Sequence, residues 1–155
     1  VGKAVIRRHA YKVKGKKMTE KRDVDKYILA PEIKQYGDLQ VFEFHGKDAR
    51  GYDFGVQLTP IQAIPLINEP PGAVDADRVN MYAGGNHEKI DELNAEIEIM
   101  MGEEPEHYTI SSAAMTYVPR GVPYGHRIAG STDKTSWVLT LTLPPEYVPP
   151  EKPES

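Results

Sequence analysis

The sequence predicts an all-β protein, a double-sheet jelly-roll barrel preceded by a basic arm. Three observations predict it. Thirteen glycines and thirteen prolines punctuate the 155 residues, leaving few windows long enough for a helix. Several segments alternate polar and apolar residues with the period of a strand. About nine such segments follow one another at short spacing, the pattern of a closed or double-sheet β architecture. The length suits one domain with a real core. The expected organisation is an arm over residues 1–25, a barrel over 26–147 and a polar, proline-rich tail over 148–155.

Taken in order, the arm carries Lys3, Arg7, Arg8, Lys12, Lys14, Lys16, Lys17, Lys21 and Arg22. It reads as a solvated arm, as an edge strand whose lysines block edge-to-edge pairing, or as a contact for an anionic partner. Residues 26–30 form a short apolar segment ended by Pro31, and residues 39–45 a better strand. Over residues 52–59 the alternation is strict: Tyr52, Phe54, Val56 and Leu58 share one face, Asp53, Gly55, Gln57 and Thr59 the other. Residues 61–67 are expected to continue the sheet, with Pro65 marking an edge or bulge. Residues 78–83 alternate again and end at Gly84-Gly85-Asn86; a helical turn capped by Asn86 is expected over 87–94. Residues 95–101, 107–110, 114–118 and 136–143 complete the strands, with a turn at Pro119-Arg120-Gly121.

Composition removes several function classes. The net charge of −4 gives nucleic-acid binding no electrostatic support. The absence of cysteine excludes disulfides, thiol catalysis and thiolate metal sites. No apolar run approaches the roughly 20 residues of a membrane helix. No signal peptide is visible, so a cytoplasmic protein is expected; the start at Val1 rather than Met fits a chain cut from a longer one. The His87–Asp91 stretch lacks the second histidine of a zinc-protease helix. There is no phosphate-binding loop, and Gly84-Gly85 has no following helix to make a dinucleotide site.

The alternation itself points to a site. If strands 78–83 and 95–101 pair as a hairpin, Arg78, Asn80, Tyr82, Glu96 and Glu98 share one face. That face meets solvent or lines a cavity. The opposite face, Val79, Met81, Ile97 and Ile99, is apolar and is expected to be covered by a second copy, giving a homodimer. Glu96 and Glu98 read as an acid/base pair or as a plain solvent face. His45 and His107 read as surface or packing residues, and His9 has no partner in the pattern.

The order Gly84-Gly85-Asn86, Glu96-Ile97-Glu98, Gly102-Glu103-Glu104 and Pro119-Arg120-Gly121 resembles the cupin superfamily, and within it a subgroup of small cupins without settled function. The likeness covers about residues 26–143. It implies the jelly-roll barrel and a site of histidine and carboxylate ligands for a transition metal. Carried over by residue, Gly85 is the motif glycine, so Arg78 stands at the glutamate position, Gly72 and Val74 at the first two histidines, and Tyr124 at the last. All four expected ligands are replaced. The resemblance therefore implies a pocket without metal or other cofactor that binds a small anionic organic molecule. Arg78 would pair with a carboxylate or phosphate, Tyr124 would supply a hydroxyl, and Asn80, Tyr82, Glu96, Gln57 and Tyr117 would line the pocket. Any catalysis would be acid–base chemistry by Glu98, Tyr124 or His126. A salt bridge from Arg78 to Glu96 or Glu98 is the structural alternative for that residue. Two rival readings stand beside it. One is a metal-dependent dioxygenase or isomerase holding a divalent transition metal through relocated ligands His87, Glu92 and His126. The other is a non-catalytic sensor or assembly subunit.

Overall fold

The computed structural model describes residues 29–45, 54–130 and 136–144. The basic arm and the proline-rich tail lie outside the described residues. Nine strands are described: β1 (Glu32–Tyr36), β2 (Leu39–His45), β3 (Gly55–Pro60), β4 (Asp77–Gly84), β5 (Glu92–Met101), β6 (Glu106–Ser112), β7 (Ala114–Val118), β8 (Tyr124–Ile128) and β9 (Ser136–Leu143). They form two antiparallel sheets, one ordered β1-β2-β3-β9-β4-β7 and the other β6-β5-β8.

This order is that of a double-sheet jelly roll. The run β3-β9-β4-β7 makes one four-stranded face. The opposing face needs a fourth strand beside β8, and here that strand is reduced to one bridge, Gly72 paired with Tyr124. Two backbone hydrogen bonds of 3.1 Å, between the amide and carbonyl of each residue, make that rung.

Pleating explains the core. Tyr82 from β4, Val138 from β9 and Val118 from β7 face Leu93, Ala95, Ile97 and Ile99 from β5 and Tyr124 from β8, all buried. Ser136 Oγ donates to the Leu93 carbonyl and ties the two sheets at one end. The ladder registers place a second apolar set on the outer side of the large sheet. Phe42, Leu58, Leu139, Met81 and Met115 form one cross-strand row; Phe44, Val56, Leu141, Val79 and Tyr117 form the next.

Four sequence expectations change. Strands β4 and β5 do not pair as a hairpin: β4 pairs with β7 and β9, β5 with β6 and β8. Val79 and Met81 therefore lie on the outside of one sheet, while Ile97 and Ile99 point into the core. Residues 61–67 are not strand but a 3-10 turn (Ile61–Ala63) running into the helical turn α1 (Ile64–Ile67). Pro65 suits its first turn, where no backbone donor is needed. Leu29 and Ala30 are not in a strand; the edge strand is β1, just beyond Pro31. Residues 87–91 are turns rather than helix, although Asn86 Oδ1 does accept from the Glu88 amide at 3.0 Å.

Candidate functional site

Between the sheets lie two adjoining hollows, of about 470 and about 290 Å³. Gln57, Glu69, Pro70, His126 and Thr140 line both. The smaller one also brings together Gly72, Val74, Arg78 and Tyr124. These are the four positions to which the resemblance carries metal ligands.

The side chains at that place do not suit a metal ion. Glycine and valine offer no donor, and Arg78 is a permanent cation that repels a divalent one. The rival set is not assembled either. His87 lies in an exposed turn, Glu92 pairs with Lys89 at 2.9 Å, and His126 is inside the barrel. Among the described residues no group of three His, Asp or Glu side chains is placed to hold a metal.

Arg78 is carried inward by β4. Its Nη2 donates to the Gly72 carbonyl at 3.2 Å, and its guanidinium lies 5.2 Å from the centre of the Tyr124 ring, within cation–π range. Its Nε is buried without a hydrogen-bond partner. Among the described residues no carboxylate forms an ion pair with it; Glu69 lines the same hollow and acts on it only at longer range. Burial lowers the pKa of the guanidinium, which nevertheless stays charged at any ordinary pH.

Behind Arg78 runs a chain of buried polar groups. Thr140 Oγ1 donates to Asn80 Oδ1 at 2.8 Å, and Asn80 Nδ2 donates to Thr116 Oγ1 at 3.1 Å. Thr116 bonds the Tyr124 hydroxyl, Tyr124 bonds Tyr82, and Tyr82 Oη lies 2.7 Å from His126 Nδ1. Asn80 is 2% and Tyr82 1% exposed, so each needs these partners. Burial pushes both tyrosine hydroxyls up. Burial first, and the Arg78 charge second, push the His126 imidazole down to about 4.

The structure thus gathers Arg78, Asn80, Gln57, Tyr124 and His126 around the cavity; Tyr82 does not line it but lies behind it in the core, bonded to Tyr124 and His126. It does not bring Glu96, Glu98 or Tyr117 there. Glu96 and Glu98 alternate with the buried Leu93, Ala95, Ile97 and Ile99, so β5 turns both outward. Glu98 is clasped by Arg127 and by His107 Nδ1, and these hydrogen bonds hold its carboxyl below the usual range. His107 is thus a surface residue with a partner, and the Arg78 salt bridge to Glu96 or Glu98 does not form. Tyr117 is on the outer face of β7 and donates to Asp77 Oδ2 at 2.8 Å. Sequence reasoning missed Thr116, Thr140 and Glu69. The two threonines sit at alternate positions within apolar strands, which is the signal that could have found them.

No family model matches the chain, and no curated protein matches it. Solved structures do. One is the hydroxypropylphosphonic acid epoxidase from S. wedmorenis, at 13% identity and a TM-score of 0.47, covering 73% of this chain and 55% of that one. Another is the Lactobacillus farciminis oxalate decarboxylase formate complex, at 8% identity and a TM-score of 0.49, covering 76% and 32%. A third is vicilin from Corylus avellana, at 14% identity and a TM-score of 0.48, covering 75% and 32%. The chain spans about half the length of the epoxidase and a third of the other two. Likenesses at this level carry no argument about activity. The order of its own strands gives this chain a double-sheet jelly-roll fold.

Proposed function

We propose that the barrel binds a small anionic organic molecule in a metal-free cavity, anchored by Arg78. One observation carries the reading: a cation reaches into the barrel with a buried, unpaired Nε and no carboxylate paired to it among the described residues. Arg78 as a whole is half-buried, so its charge is partly desolvated while its buried Nε lacks an acceptor, and a carboxylate or phosphate meets a guanidinium through two parallel hydrogen bonds. Gln57, Tyr124 and His126 supply further polar atoms around the same space. Acid–base chemistry on the bound molecule falls to Tyr124 and His126, which line the cavity; Glu98 takes no part.

Calorimetric titration with a panel of small carboxylates and phosphates tests this. Arg78→Ala should weaken binding at least about tenfold, the range of a hydrogen bond to a charged group, with the melting temperature little changed. Equal affinity in the variant removes Arg78 from the site. Metal analysis before and after incubation with Fe(II), Mn(II), Ni(II) and Zn(II) should give near-zero stoichiometry, and one tightly held metal per chain overturns the metal-free reading.

The same proposal includes a homodimer formed through the outer face of the large sheet. Met115 and Tyr117 are 66% and 54% exposed there, beside the exposed Phe42 and Met81. Contiguous apolar surface of this kind marks an interaction site. Analytical ultracentrifugation should give a dimer, and Met81→Lys should shift it to monomer at the same concentration.

A further inference from the structure

We propose that the buried chain Thr140–Asn80–Thr116–Tyr124–Tyr82 locks His126 in the tautomer that carries its proton on Nε2, making the ring a second hydrogen-bond donor beside Arg78. Thr140, Asn80 and Thr116 are positioning residues in this scheme, because they act on the ring only through the two tyrosines. The inference rests on the reading of the cavity as an anion site for the donor's use, but not for the lock itself.

The protons can be followed one by one along the chain. Thr140 gives its single hydroxyl proton to Asn80 Oδ1, which can only accept. The amide nitrogen of Asn80 can only donate, and it donates to Thr116 Oγ1. Thr116 Oγ1 thereby holds the Asn80 hydrogen on one lone pair, and in this scheme its own proton goes to the Tyr124 oxygen, its bonded neighbour. Tyr124 then passes its own proton to Tyr82. Tyr82 has one proton left to give and one neighbour left to take it, His126 Nδ1 at 2.7 Å. A neutral imidazole that accepts on Nδ1 must carry hydrogen on Nε2. No described residue bonds that Nε2, and the ring lines both hollows. The scheme starts from the amide of Asn80: the opposite orientation favours the reverse sense along the hydroxyls, ending with Nδ1–H donating to Tyr82.

Ring nitrogen shifts of ¹⁵N-histidine-labelled protein, read at pH 7 without ligand, test the lock directly. The expected pattern is one slowly exchanging tautomer with bare Nδ1 and protonated Nε2; the opposite tautomer, or a fast-averaged mixture, overturns it. Asn80→Asp places two acceptors at the head of the chain and should invert the tautomer. Should that variant fail to fold, Thr116→Val, nearly the same shape, should replace the single tautomer with a mixture, whereas Thr116→Ser should restore it. A purely structural role for Thr116 would change the melting temperature and leave the tautomer alone, which also overturns the proposal. Inorganic phosphate is the probe for the donor. Saturating it should move the Nε2 signal in the wild type; binding that depends on Arg78 yet leaves Nε2 unmoved overturns the donor role. Absence of phosphate and carboxylate binding altogether counts against the anion-site reading, while the tautomer result decides the lock by itself.

Discussion

His126 shows how burial becomes a pH dependence. Its folded pKa of about 4 lies below the ordinary value of roughly 6.5. Between those values the unfolded chain binds a proton that the folded chain does not. The contribution of the neutral ring is therefore whole above about pH 6.5 and is lost as pH falls toward 4, on the order of 3 kcal/mol across the window. Urea midpoints measured from pH 7 to pH 4 should fall more steeply for the wild type than for His126→Asn. Gly84 makes a second prediction at this scale. A Cβ there would run into the Glu92 carbonyl oxygen, because β4 ends where β5 begins and the Gly84 amide bonds the Ile90 carbonyl at 2.8 Å. Gly84→Ala should cost about 1–3 kcal/mol, the range of overpacking, read from chemical denaturation.

Among the elements, β5 gives the sharpest contrast. Ile97→Ala removes a fully buried side chain from between the sheets and should cost about 2–5 kcal/mol. Glu96→Ala, one residue earlier on the outer face, should stay within about 0.5 kcal/mol. Denaturant melts of the two variants check both. The same alternation decided what was legible. Strands β2, β7 and β9 were read to the residue because each is a short run rich in β-branched and aromatic residues bounded by turn residues. Strand β8 was missed because Tyr124-Gly125-His126-Arg127 lacks an apolar face; its inward residues are polar because the cavity is there. Gly125 belongs to the same feature, since a Cβ would come within 2.7 Å of Pro71. The 61–67 run was misread because a short apolar stretch has no period that separates helix from strand. The pairing of β4 with β9, 52 or more residues away along the chain, leaves no local trace, so the face shared by Arg78 and Tyr82 was assigned to the wrong neighbour.

At the scale of the whole molecule, the fold sets two opposed chemistries on one sheet. Its inner side presents Gln57, Thr59, Arg78, Asn80, Tyr82 and Thr140, while its outer side carries the apolar rows. Composition could announce neither, because alternate residues of the same strands supply both. The second sheet is unequal along its edges. Its centre is β5, laddered on both sides, but the segment beside β8 is fastened by the Gly72–Tyr124 rung, a 2.9 Å bond from the Gly121 amide to the Val74 carbonyl and the Arg78 bond to the Gly72 carbonyl. Opening that segment breaks few contacts, whereas exposing the β5 amides requires the barrel to come apart. Deuterium uptake should therefore be fast at the Gly72 amide and slow at Ile97. An anion that draws Arg78 away from Gly72 should make the first faster still, so occupancy of the cavity would be readable at the backbone of its own wall.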